Sequence, residues 1–352
     1  MSAPAPAPSR MRREIAQIPG VVARVVSSSN GEVAEVGAAI IAARPRWVMI
    51  AARGTSDHAA VYAQYLIETH LGLPTGLAKP SVTTVYEAPV AWKGGLVLAI
   101  SQSGQSPDIV AVVRAARAAG ALTVAITNDV ASPLAAAAEH RLSCHAGREL
   151  AVPATKTYVA ELAVVAALVA AMRPSPDLVD GLRGLPELLR STMARTGRWL
   201  EGPAVRTFAA ADRALVVSRG YNLATALELA LKFKETVGLF AEAYSTADFA
   251  HGPRALAGAD VPILAVRPDG PMGDLVDATL DGVGARVGPV TVIGGARAAE
   301  HAGALALDLD LPESLSPLVF VVPGQLLVEA TAQERGLNPD APEGLGKVTR
   351  TH

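Results

Sequence analysis

The chain has 352 residues, enough for two domains, each with its own core. Half of the residues are hydrophobic but only 4% are aromatic, so Ala, Val and Leu must fill those cores. A formal net charge of −2, with Lys and Arg scattered, argues against nucleic acid or an anionic membrane surface as the main partner.

The opening residues, 1–10, are rich in Ala, Pro and Ser, lack the apolar segment of a signal peptide, and are expected to be disordered. Residues 46–54 read as a buried strand running into a glycine turn at Gly54. A helical pattern follows as far as Gly72, and a second apolar strand spans 96–100.

Ser101, Gln102, Ser103, Gly104, Gln105 and Ser106 come next, before a helix-like run at 107–118. In a parallel sheet, a strand-to-helix junction offers free backbone N–H groups and a positive dipole end, which suit a phosphate. With no Lys or Arg in the loop, hydroxyls and amides would hold the anion, favouring a small phosphorylated metabolite over a nucleotide. The loop is neither a Walker motif nor G-x-G-x-x-G, and taken alone it reads equally well as a solvated serine-rich turn.

A third strand is expected at 122–126. Cys144, the single cysteine, excludes an intrachain disulfide, fits a reducing cytosol and reads as a buried apolar residue. The apolar stretch 159–172 contains Glu161 and is too short to span a bilayer, so a soluble protein is expected. A helical stretch around 175–199 links to the second half.

That half repeats the first. Residues 213–220 again read as a strand running into a glycine turn, and Gly238 stands eighteen residues beyond Gly220, as Gly72 does beyond Gly54. Gly54 to Gly104 and Gly220 to Gly270 are equal separations, and strands at 262–266 and 290–293 match 96–100 and 122–126. Two doubly wound parallel α/β domains follow. Where the first copy has its hydroxyl loop, the second has Arg267, Pro268, Asp269, Gly270 and Pro271. One composite site, with phosphate held by the first half and chemistry supplied by the second, explains the divergence better than two equivalent sites.

On the helix after Gly220, Glu228, Lys232 and Glu235 are spaced i, i+4, i+7 and share one face. An exposed stripe of this kind contributes only a few tenths of a kcal/mol. Here the other faces are apolar, so the stripe should line a cleft or interface. His251 precedes Gly252 and Pro253, which places it in a turn, where it is either a hydrogen-bonded loop residue or half of an acid/base pair.

Taken together, these segments resemble the SIS (sugar isomerase) family, and most closely the isomerase half of glucosamine-6-phosphate synthase and the SIS-type glucosamine-6-phosphate deaminases. The matching residues are Gly54, Thr55 and Ser56; Ser101 to Gly104; the run from Glu149 through Val152, Pro153, Ala154 and Lys156 to Thr157; the charged helix; the run Ala241, Glu242, Ala243 and Tyr244; His251; and Gly346, Lys347, Val348 and Thr349. The resemblance implies a flavodoxin-like three-layer fold in tandem. It also implies that Gly54, Thr55, Ser56, Ser101, Gln102, Ser103 and Ser106 would bind the sugar phosphate and neighbouring hydroxyls, and that Val152 and Ala154 would touch the sugar. Glu235 would shuttle a proton between C1 and C2, His251 would open the ring from across a dimer interface, and Lys347 would sit on a tail over the site. Glu228 and Lys232 would support it. Departures are Arg53, where the synthase has Cys; Pro153 and Ala154 in place of Ala-Ser; and a tail that is closer to the deaminases. No segment resembles a glutaminase domain, so amide-driven synthesis is not expected.

The expected layout is a tail and lead-in helix (1–30), a first SIS domain (31–173), a linking helix (174–200), a second SIS domain (201–335) and a C-terminal tail (336–352). The expected activity is deamination of glucosamine 6-phosphate to fructose 6-phosphate and ammonia, by a cytoplasmic homodimer needing neither cofactor nor metal. Alternatives are another phosphosugar deaminase, isomerase or deglycase, acting on galactosamine 6-phosphate or a fructosamine phosphate, or a non-catalytic sugar-phosphate sensor.

Overall fold

Uninterrupted runs of Val, Ile and Leu form strands buried on both faces, as a parallel sheet covered by helices requires. In the computed structural model, which describes residues 8–284 and 287–347, ten strands make two sheets, with runs of this kind at their centres. The first contains β1 (Val48–Ala51), β2 (Thr75–Leu77), β3 (Leu96–Ser101), β4 (Leu122–Thr127) and β5 (His140–Ser143), in the order β2-β1-β3-β4-β5. The second contains β6 (Arg213–Ser218), β7 (Phe240–Ser245), β8 (Ile263–Arg267), β9 (Val290–Gly294) and β10 (Leu305–Ala306). Its order, β7-β6-β8-β9-β10, is the same winding, and every pairing in both sheets is parallel. The duplicated glycines agree in conformation: φ is +56° at Gly54 and +63° at Gly220, and +66° at both Gly72 and Gly238.

Alternation along each strand sorts the core. Leu96, Leu98 and Ile100 enter one cluster, while Val97 and Ala99 point to a separate cluster on the other face. The first cluster is common to both halves, running from Met11 to Ala332. Helices Thr55–Leu71, Lys156–Met172, Leu223–Lys232 and Ser316–Glu334 meet there. At roughly 1.5–3 kcal/mol per enclosed Val, Leu or Ile, burial on this scale holds the two halves as one body. Segment 313–334 is long and apolar enough to cross a membrane, but 94% of its apolar window is buried inside the molecule.

Two expectations need correcting. The tail does not extend to residue 10: a helix starts at Arg10, capped by the Ser9 hydroxyl, which accepts from the Arg12 amide at 3.0 Å. Ser9 also donates to Glu329 at 2.6 Å, and the Arg10 and Met11 amides donate to the Asp340 carboxylate at 2.9 and 2.8 Å. The rest of the expected tail, 1–7, and the motif residues Val348 and Thr349 lie outside the described residues. Each half also has two strands more than its apolar pattern announces. These are the sheet edges β2, β5, β7 and β10, which need not be apolar on both faces and are short or carry polar residues such as Glu242 and Arg141.

Candidate active site

The helices leaving neighbouring strands β1 and β3 diverge. Thr55–Leu71 packs into the shared core, whereas Pro107–Ala118 covers the opposite face of the sheet. The crevice between them, at the carboxyl ends of the strands, is the topological switch point where open α/β sheets bind ligands. Gly54, Thr55 and Ser56 form one rim and the 101–106 loop the other.

Within that loop, Ser101 Oγ accepts from the Gly104 amide at 3.2 Å and Ser103 Oγ from the Gln105 amide at 3.3 Å. The Gln102 carbonyl accepts from the Asn128 amide at 3.1 Å, tying the loop to the end of β4. Ser106 takes the N-cap position of the following helix, and its side chain makes no capping bond there. Gly104, at φ +62°, allows the tight path. A Cβ there would stand 2.1 Å from Ser132 Oγ, which itself caps helix Pro133–Ala137. Gly104→Ala should therefore displace the loop, costing about 1–3 kcal/mol of stability and at least about tenfold in phosphosugar affinity. Denaturant midpoints and calorimetric titration read the two effects separately. Arg53, at the opposite rim, pairs with buried Asp108 at 2.8 Å and so neutralises an acid in the first turn of the helix that would face an anion.

The second half contributes the charged helix. Helix Leu223–Lys232 packs against its duplicate, Thr55–Leu71, and then widens into a π-helical turn, Phe233–Val237, that carries Glu235. Such turns are frequent at functional sites. Lys232 Nζ lies 2.5 Å from Glu235 Oε2, 3.4 Å from Glu228 Oε1 and 3.0 Å from Thr55 Oγ1. Lys232 and Glu228 are essentially fully buried, whereas the Glu235 side chain is 26% exposed. Burial alone would lower the Lys232 pKa, but Glu228 and Glu235 overcome it and raise it above the usual lysine range. The stripe is thus a buried network aimed across the junction of the halves, with Glu235 at its open end.

Two residues without an assigned role meet these groups. His58 Nδ1 lies 2.8 Å from Glu228 Oε2 and so joins the network, while Glu161 Oε1 lies 2.8 Å from the Ser56 hydroxyl. His58 stands three positions after Thr55, one turn along the same helix, and Glu161 is a charge in an apolar run; both signals are visible in the chain.

Lys347 reaches a different part of the site. It pairs with buried Glu149 at 3.1 Å, and Glu149 also accepts from the Thr155 and Thr157 amides at 2.9 and 3.2 Å. Burial raises the Glu149 pKa, but the Lys347 charge and these amides outweigh it and hold the carboxyl below its usual range. The Val152 amide donates to the Asp340 carbonyl at 2.9 Å, so the tail crosses the loop that bears Val152 and the half-exposed Ala154. His251 is exposed after helix Thr246–Ala250, and its side chain makes no hydrogen bond among the described residues.

At the equivalent place in the second half, the side chain of Arg267 is fully buried and fills the junction. Its Nη2 lies 2.8 Å from Asp277, and its Nη1 donates to the Pro268 carbonyl at 3.0 Å and to Asp269 at 3.3 Å. The Asp269 carboxylate in turn accepts from the Ala296 and Arg297 amides, taking the place an external anion would have. The two halves are therefore inequivalent.

The SIS domain profile matches residues 40–171 and 207–326. The isomerizing glutamine–fructose-6-phosphate aminotransferase of Methanothermobacter thermautotrophicus is 37% identical over 304 residues, covering 85% of this chain and 51% of the relative. That of Zymomonas mobilis is 33% identical, covering 96% and 58%. The chain spans about half the length of these curated relatives. Among solved structures, a candidate phosphosugar isomerase from Silicibacter pomeroyi superposes with a TM-score of 0.84 at 38% identity, covering 95% of this chain and all of that one. A glucosamine-6-phosphate deaminase from Thermotoga maritima shares the fold, with a TM-score of 0.76 at 20% identity, covering 97% of this chain and all of that one. With both halves matched, the chain belongs to the SIS domain family, as a tandem pair.

Proposed function

We propose that the chain is a phosphosugar aldose–ketose isomerase of the SIS family that deaminates glucosamine 6-phosphate to fructose 6-phosphate and ammonia. The observation that carries this reading is the Glu235 carboxylate, held by buried Lys232 at the open end of a network that reaches Thr55 on the rim of the first-half crevice. An isomerase acting on adjacent carbons needs one positioned base beside an anchored phosphate, and little else. The phosphate would rest in the 101–106 loop and the sugar would extend toward Glu235. His251, exposed and without a side-chain hydrogen bond among the described residues, would assist ring opening from a second copy of the chain. Glu235 would take the C2 proton of the open-chain aldehyde and return it to C1. This converts the enolamine into an imine at C2, which water cleaves to the ketone and ammonia. Lys347, anchored by Glu149, is the cation available to the developing oxyanion.

Similarity to a candidate phosphosugar isomerase at 38% identity favours a second reading, simple aldose–ketose interconversion with no nitrogen released. Incubation with glucosamine 6-phosphate, with galactosamine 6-phosphate as control, should release ammonia and ketose in equal amounts from the first. Ketose formed from hexose 6-phosphates without ammonia from either amine would support the second reading. Tight binding with no turnover of any substrate would refute both and leave a sensor.

A further inference from the structure

The apolar helix Lys156–Met172 carries a fully enclosed carboxyl at Glu161. One oxygen meets the Ser56 hydroxyl at 2.8 Å, and the other has no hydrogen-bond partner among the described residues. The charged groups that reach it are Glu228 and Glu149, which oppose a further negative charge, and Lys347, already paired with Glu149. Its other titratable neighbours are Tyr158 and Cys144, both enclosed and neutral. A carboxylate with one hydrogen bond and no cation of its own is costly in such a place, and the neutral acid is the form it retains. A neutral carboxyl must place its proton, and the acceptor within reach is Ser56 Oγ. When Glu161 donates to it, the Ser56 hydroxyl keeps its own proton free for the crevice. If Glu161 ionises, the proton leaves to solvent, Ser56 must donate inward, and only its lone pairs face the ligand.

We propose that Glu161 is a positioning residue: as the neutral acid it sets the Ser56 hydroxyl as a hydrogen-bond donor toward an anionic or oxyanionic group of the ligand, and on ionising it reverses that setting. The inference rests on the phosphosugar reading of the crevice and deepens it by making recognition depend on the protonation of a group the ligand never touches. Burial, reinforced by Glu228 and Glu149, pushes the Glu161 carboxyl up to about 8, so the reversal falls within a range accessible to titration.

Calorimetric titration of the full chain with glucitol 6-phosphate, which has no aldehyde to react, tests the idea between pH 6.5 and 9.5. Wild type, Glu161→Gln and Ser56→Ala are compared, so that ionisation of the phosphate itself is common to all three. Glutamine keeps a neutral donor beside Ser56. Glu161→Gln should bind within about twofold of wild type at pH 7, and wild type should weaken about tenfold relative to it by pH 9.5. Ser56→Ala should bind weakly and lack the alkaline step. Parallel curves for wild type and Glu161→Gln would overturn the proposal, as would a loss at pH 7 in Glu161→Gln equal to that in Ser56→Ala. If the glutamine variant does not fold, the wild-type curve compared with that of Ser56→Ala reads the same step, and its absence is equally decisive. No binding of the hexitol phosphate by wild type at any pH would remove the phosphosugar reading and this inference together. Binding without the step removes the inference alone.

Discussion

Glu235→Gln is expected to lower turnover by about 10²–10⁴-fold while phosphosugar affinity stays within a few-fold. The amide is nearly isosteric, and its carbonyl still accepts from Lys232, so the π-helical turn Phe233–Val237 keeps its shape. What disappears is the capacity of a carboxylate to take up and return a proton, which the proposed reaction requires. Steady-state kinetics with either proposed substrate, combined with titration of the unreactive hexitol phosphate, separates the two quantities. Retention of more than about a tenth of wild-type turnover would assign the base elsewhere, since a positioned general base accounts for far more than that. An equal loss of affinity would instead mean that Glu235 is a binding group.

Lys232→Met is expected to cost about 3–5 kcal/mol of stability, because it leaves the buried Glu228 carboxylate without its cation. The methionine fills a similar volume, so the loss reports charge rather than packing. The sign with pH follows from the raised Lys232 pKa: its contribution is complete below the ordinary lysine range and is lost only as pH climbs through the higher folded value. The deficit should therefore be undiminished near neutrality. Urea midpoints measure it, and adding Glu228→Gln should restore part of the loss rather than add to it, since the second change removes the stranded charge. Strictly additive losses would show that Glu228 and Lys232 are not coupled, against the 3.4 Å geometry.

The contrast between these residues and Glu161 shows what a sequence conveys. Glu228, Lys232 and Glu235 lie on one helix, so helical spacing alone puts them on one face. The six glycines at equal separations, and the Val/Ile/Leu runs of β1, β3, β4, β6, β8 and β9, are likewise local patterns and announce the duplicated sheets. Glu161 and His58 stand out locally, as a charge in an apolar run and a histidine one turn from Thr55, but their partners, Ser56 and Glu228, sit on other helices and meet them only through tertiary packing. Lys347 is 198 positions from Glu149, and no periodicity links them. The edge strands were missed for a simpler reason: with one neighbour and one covered side, they carry too few apolar residues to stand out.

The enclosure of Arg267 carries a last consequence. The enclosed Arg267 guanidinium is held by Asp277 and Asp269, with Asp269 also accepting from the amides of the next loop. The ancestral crevice of the later repeat is thus permanently occupied by its own side chains. Shared descent need not mean shared occupancy: with the later crevice filled, saturation by an outside anion is expected to stop at a single equivalent per subunit.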